Sequence, residues 1–291
     1  MLTNIVPHNV KIIVEGVNGE TRFSQRYSDF LLSPNQNINM GMYGNSLLDI
    51  LIAESMVNEN LTLNQILTND THADATRLIG SIAESLVVKV CNENPEVNRT
   101  LAKHARFGLN NHVILDNFVA VATGSLNAKN NYPIHYNPSD TQRDIIWVNK
   151  NNNDSQLLCI NPKPNNGAGI AAGLQVKASH NGIKYVLPTI NDYYFPVLYF
   201  DLDNDFDMVE YAVKQTHAKA TLLRPGLIHH ELKNTLQGYF TIIKRLMNNE
   251  ITIRHIIEIC RYEGLTELSA GISGGGIGNG RGLILPSYLR K

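Results

Sequence analysis

The stretch AAGLQVKAS, residues 171–179, has the form of a strand that keeps polar groups on one face. Side chains alternate along a strand, so Gln175 and Lys177 share a face while Val176 points into the core. Two upstream elements converge on it. DIIWV, residues 144–148, is a short apolar run opened by Asp144, and its β-branched residues favour an extended strand. Further upstream, Ile79, Ile82, Ala83, Leu86, Val87 and Val90 recur at i, i+3, i+4, i+7, i+8 and i+11. That spacing predicts an amphipathic helix over residues 75–92, with Ser81, Ser85, Lys89 and Asn92 on its polar face. At about 100° per residue, Glu84 falls on the boundary between the two faces. An acid heading one strand, a polar-x-Lys on a neighbouring strand and a helix acid together make an oxygen-rich cluster. Such a cluster suits a hard divalent cation, with the lysine placed to position or polarise water.

The order helix Glu, then Asp, then (Glu/Gln)-x-Lys resembles the PD-(D/E)xK nuclease superfamily, which includes many restriction endonucleases, in a Q-x-K variant. The resemblance spans residues 75–217. It implies an α/β (α+β) protein with a restriction-endonuclease-like mixed sheet flanked by helices. By position, Asp144 would be the metal-binding acid of the second core strand and Gln175 the second ligand. The backbone carbonyl of Val176 would be a third ligand, Lys177 the catalytic lysine and Glu84 the auxiliary helix acid. The implied cofactor is Mg²⁺, with Mn²⁺ as a substitute. The implied substrate is double-stranded DNA, hydrolysed by a homodimer that presents two such sites, alone or with a methyltransferase or ATPase partner. Gln175 stands where an Asp or Glu is usual. Pro138 and Asp140 in NPSDTQRD (residues 137–144) leave Asp140 as a second candidate for the acid. No helix is legible between QVK and PVLYFDL.

Around that core (75–217), the chain divides into an N-terminal segment (1–74) and a helical, basic C-terminal region (218–291). VKIIVEGV (10–17) and HVILDNFVAVAT (112–123) read as strands, and SLLDILIAESMV (46–57) as a helix. IKYVLPTI (183–190) and FPVLYFDL (195–202) are β-rich runs, and DFDMVEYAVKQTH (205–217) switches to a helical pattern. Helices are expected over residues 226–247 and 252–262. SGGGIGNGRG (273–282) reads as a flexible tail or a backbone-rich loop.

The 291 residues are 43% hydrophobic with only 3 cysteines, which excludes disordered, collagen-like and disulfide-scaffold chains. No apolar run reaches the length of a membrane span. The start, MLTNIVPHNVKIIVEG, lacks the basic and apolar regions of a secretory signal. Cys91, Cys159 and Cys260 have no metal or redox spacing, so a cytoplasmic protein is expected. The net charge of -1 hides an asymmetry: Lys214–Lys291 carries 11 Lys+Arg against 5 Glu and no Asp. Such a segment is either a polyanion-binding face or a solvated helical surface.

Competing patterns are weaker. GISGG (271–275) resembles a nucleophile elbow, yet no Asp or His follows Ser273. HHELKN (229–234) lacks the second His of a zinc-protease helix. DLDND (201–205) has Phe206 and Ala212 where a calcium loop needs Gly and Glu, so it reads as a strand end feeding an acidic helix start. Two alternatives remain open. GAGIAA, Gly167 to Ala172, is a G-x-G-x-x-A pattern that could cradle a nucleotide pyrophosphate. RLMNNEITIRHIIEICRYEG (245–264) loosely resembles a helix-turn-helix, which would suit a DNA-binding protein with a degenerate nuclease core.

Overall fold

The computed structural model describes residues 10–15, 21–26, 36–64, 68, 70–160, 169–216, 218–260 and 282–286. In chain order the first elements are β1 (Val10–Glu15), β2 (Thr21–Arg26), α1 (Gln36–Ala53), α2 (Thr71–Glu93), α3 (Pro95–Ala105), β3 (Phe118–Ala122) and α4 (Leu126–Asn131). Next come β4 (Ile145–Asn149), β5 (Asn152–Gln156), β6 (Gln175–Ser179), α5 (Gly182–Tyr185), β7 (Val197–Asp201) and α6 (Phe206–Lys214). The last are β8 (Leu222–Leu223), α7 (Pro225–Ile228), α8 (His230–Met247), α9 (Ile253–Cys260) and β9 (Gly282–Pro286). The protein is thus mixed α/β. Its residues cluster into two compact units. One contains Met1–Asp49, Val57–Gln65 and Gly238–Lys291, and the other contains Ile50–Met56 and Ile66–Gln237.

In the first unit, β1 pairs antiparallel with both β2 and β9. Helices α1 and α8 approach closely at Gly238, where the ring of Tyr43 occupies the space that a Cβ would need. Next to it, Tyr239 donates to Ser46 Oγ at 2.8 Å and meets the Tyr43 ring edge-on at 6.4 Å. Helices α8 and α9 flank a short turn with Asn249 in the left-handed region, φ 58. The remainder of the expected helix-turn-helix, residues 261–264, and nearly all of SGGGIGNGRG lie outside the described residues.

The second unit contains residues 75–217. Helix α2 begins one turn before the apolar periodicity because Asp70 caps it, accepting from His72 N and Ala73 N at 3.1 and 2.9 Å. Its apolar stripe (Ile79, Ile82, Ala83, Leu86 and Val87) is buried, as the spacing predicts. Full burial of each large aliphatic side chain stabilises by about 1.5–3 kcal/mol. Strands β3, β4 and β5 form an antiparallel sheet, and β6, β7 and β8 a parallel one. Isolated antiparallel bridges Ile145↔Leu174 and Leu158↔Ala171 join them, so β4 and β6 meet at their first residues.

Helices α2 and α3 bind the free edge of β3 through two asparagines. The Asn92 amide both donates to and accepts from the Ala120 backbone, at 3.0 Å each way. Asn98 donates to the Phe118 carbonyl at 3.0 Å and accepts from the buried Trp147 indole at 2.8 Å. Backbone groups that would otherwise be an open edge are thereby paired. On the opposite face, Val121, Ile146 and Val148 pack with Ala128 of α4.

The structure corrects three expected elements. IKYVLPTI is helical rather than a strand: it forms α5 and a 3-10 turn over Leu187–Asp192. Parallel β6 and β7 need a crossover, which a hairpin cannot supply. Asn181 starts the turn by accepting from Lys184 N at 2.9 Å, and Val186 and Ile190 still bury their side chains beside Tyr199 and Val209. The same run therefore places helical structure between QVK and PVLYFDL. HVILDNFVAVAT is a strand only over Phe118–Ala122, after a 3-10 turn at Val113–Asn117. The helix expected over 226–247 is interrupted at His229.

Candidate functional site

The junction of β4 with β6 carries Asp144. The Leu174 carbonyl accepts from both Asp144 N (3.0 Å) and Ile145 N (2.9 Å), while the Asp144 carbonyl accepts from Thr123 N at 2.9 Å. The backbone at Asp144 is therefore held from two sides. Its Oδ2 accepts the Val176 N–H at 2.7 Å, and the Gln175 amide beside it helps hold the same carboxyl down. Gln175 Oε1 is buried with no hydrogen-bond partner among the described residues, in a residue that is 2% exposed. Buried polar atoms are rarely left this way.

Glu84 and Lys177 complete the cluster electrostatically. The Glu84 carboxyl is pushed up to about 8, first by burial and next by the Asp144 charge; Lys177 opposes the rise and Glu54 adds to it. Asp144 is also raised, by burial above all, against the pull of Lys177, the Val176 N–H and Gln175, with Asp140 adding repulsion. Two acids above their ordinary range beside one lysine form a site short of positive charge. Lys177 lies with its Nζ 5.4 Å from the centroid of the Tyr193 ring.

Asp140 does not occupy the acid position. Its Oδ1 accepts from Gln142 N and Arg143 N, and its Oδ2 pairs with the Arg143 guanidinium at 3.0 Å. From there Arg143 donates to Gln156 Oε1 at 3.3 Å, and Gln156 Nε2 meets His135 Nδ1 at 2.8 Å. This chain of contacts steadies the loop that delivers Asp144. Arg143 lies across Gly173, where a Cβ would collide with its side-chain stem. A Gly173→Ala protein should therefore lose about 1–3 kcal/mol to overpacking, read as a lower urea midpoint at unchanged slope. An unchanged midpoint would show that Arg143 swings aside without cost.

Sequence reasoning missed Glu54. It follows α1, accepts from Ser85 Oγ at 3.3 Å and from Leu126 N at 2.9 Å, and so ties α2 to the start of α4 beside Glu84. Nothing in its local sequence marks it, because the chain returns to Glu84 only in three dimensions.

The oxygen donors at the cluster are of the kind a hard divalent cation takes. The cluster offers two carboxylates and an orphaned amide oxygen, and Mg²⁺ commonly takes one or two carboxylates and keeps several waters. Among the described residues, no group of three or more His, Cys, Asp or Glu is arranged to hold a metal ion.

The other motifs are differently placed. From Gly169 the GAGIAA segment is extended, with Cys159 N donating to Ile170 O and Ala172 N to Leu157 O, and it runs into β6. A pyrophosphate cradle would need a helix N-terminus there. DLDND ends β7 and precedes α6; Asp201 pairs with Lys233 at 3.1 Å, and Asp205 accepts from Tyr199 OH and Gly182 N at 2.6 Å each. The basic segment is divided between the two units, and several of its cations are matched locally. Lys214 pairs with Glu210, Arg224 with Asp207, Lys233 with Asp201 and Arg245 with Glu250. Among the described residues no helix is long and apolar enough to cross a membrane. Comparison with family models, curated proteins and solved structures returns no match.

Proposed function

We propose that this protein is a metal-dependent DNA endonuclease of the restriction or defence type, with a restriction-endonuclease-like core in residues 75–217. The observation that carries the reading is the buried, unpartnered Gln175 Oε1 beside two acids raised above their ordinary range. The helical crossover between β6 and β7 supports it as well. A bound Mg²⁺, or Mn²⁺ in its place, supplies Lewis-acid polarisation of the phosphoryl group. Asp144 and Gln175 would hold the cation through oxygen, with Glu84 and the Val176 carbonyl as further donors. Lys177 orients the attacking water and offsets the negative charge that builds on the phosphate. Cutting both strands takes two such centres, hence a homodimer on double-stranded DNA.

The test is cleavage of modified and unmodified plasmid DNA with Mg²⁺, Mn²⁺ or chelator. Metal-dependent cutting that disappears in an Asp144→Ala protein supports the reading. DNA binding without cutting under either metal would make the protein a DNA-binding one with a degenerate core.

Position 175 has its own expected result. A Gln175→Glu side chain replaces a neutral amide beside Asp144 with a second buried carboxylate, so the metal-free protein should lose roughly 1–3 kcal/mol. Coulomb attraction to a cation rises in the same change, by about 4 kcal/mol per unit-charge pair at 4 Å and an effective dielectric near 20. Added Mg²⁺ should therefore raise the thermal midpoint of the variant more than that of the wild type. Equal shifts would remove residue 175 from the ligand set.

A further inference from the structure

A cavity lies on the elements that carry the cluster. It encloses about 350 Å³ between the first turns of α2, the end of β6 and Tyr185. That volume falls within the range of small-molecule sites. Three rings line it at different angles: His72 and His180 are edge-to-face at 4.3 Å, and His180 is tilted to Tyr185 at 5.5 Å. His180 Nδ1 is buried without a hydrogen-bond partner among the described residues. Thr76, Arg77 and Ser179 add polar groups to the lining.

We infer that this cavity takes a single nucleobase, stacked against the His180 and Tyr185 rings with one polar edge turned to the His180 imidazole. Planar bases suit such a wall, because any base has a π-face to stack and a polar edge to pair. A phosphate suits it poorly. The Arg77 guanidinium is already paired with Asp74, and the Asp70 carboxylate stands in the lining. Burial, then the neighbouring His72, holds the His180 imidazole below its usual range. A neutral ring offers one donor and one acceptor.

The position points to a base within a DNA strand, an assignment that rests on the proposed nuclease function. Ser179 is two residues beyond Lys177, about 7 Å along the strand. Arg77 is seven residues before Glu84, on the same side of α2 and about 10 Å away along it. One nucleic-acid strand advances about 3.4 Å per nucleotide. The cavity thus lies about two to three nucleotides from a phosphate held at Lys177, where it would accept an extruded base.

The experiment titrates the full-length, metal-free protein with a labelled single-stranded oligonucleotide and with the same strand made abasic throughout. Wild type should prefer the intact strand by about tenfold or more, the effect of a base–aromatic stack. His180→Ala and Tyr185→Ala should each lower affinity for the intact strand by about tenfold and leave abasic binding unchanged. Tyr185 is 48% exposed, so its variant tests the site even if the His180 variant folds poorly. Equal affinity for both strands, or a preference that survives both substitutions, overturns the inference. A parallel arm adds mononucleotides and deoxyribose 5-phosphate while following the histidine ring resonances. Shifts of His180 with mononucleotides alone keep the base site and overturn its DNA source. Cleavage assays on the same samples report separately on the nuclease reading.

Discussion

DNA cleavage by a Lys177→Ala protein should fall by about 10²–10³-fold, the cost of removing one group that stabilises transition-state charge. Binding of DNA should persist. Binding of Mg²⁺ should persist or tighten, because Lys177 is the cation that pulls Glu84 and Asp144 downward and competes with a metal for their charge. Asp144→Ala should lose metal and cleavage together, and it also removes the acceptor of the Val176 N–H. Single-turnover cleavage with metal titration on both variants separates the roles of the two residues, given circular dichroism that confirms folding. Wild-type cleavage by a folded Lys177→Ala protein would refute the mechanism.

Stability of the metal-free protein should decline as pH rises from 6.5 to 8.5. Glu84 has a folded-state value of about 8 against an ordinary 4.5, so the folded protein holds a proton that the unfolded chain has released. Stability from such a raised group is complete below its unfolded value and is lost as pH climbs through the folded one. Asp144 is raised as well and acts in the same direction. His104 and His180, both half-buried, are lowered and act in the opposite direction, but only as pH falls below the ordinary histidine value. Across the chosen window the expected loss from Glu84 is about 2 kcal/mol. Urea unfolding at three pH values in chelator measures it, and Glu84→Gln should flatten the slope. Mg²⁺ should reverse the trend, since a cation favours the ionised carboxyls. A Glu84→Gln protein with the wild-type slope would move the proton to another group.

Local rules carried far in this chain. The 3.6-residue spacing of Ile79 to Val90 led directly to α2, because one buried stripe and one solvated face are enough to specify a helix. Two-residue alternation likewise marked Gln175 and Lys177 as a pair on β6. Composition misled at IKYVLPTI, whose β-branched and aromatic residues fill a helical crossover instead. Burial of Val186 and Ile190 is satisfied in either conformation, and the parallel pairing of β6 with β7 selects the helical one.

The cluster divides in the same way. From sequence alone came Glu84, Asp144, Gln175 and Lys177 as residue types in a meaningful order, with Asp140 left as a rival. Only the tertiary structure separated the two aspartates: Asp140 is consumed by Arg143 and its own loop, while the β4–β6 junction turns Asp144 toward Gln175 and Val176. It also brought Glu54 beside Glu84 from a different element, and left Gln175 Oε1 without a partner. Periodicity along a chain encodes which face of each element is buried. It does not encode which charges from distant elements share a dehydrated space, and the chemistry of this cluster depends on that sharing.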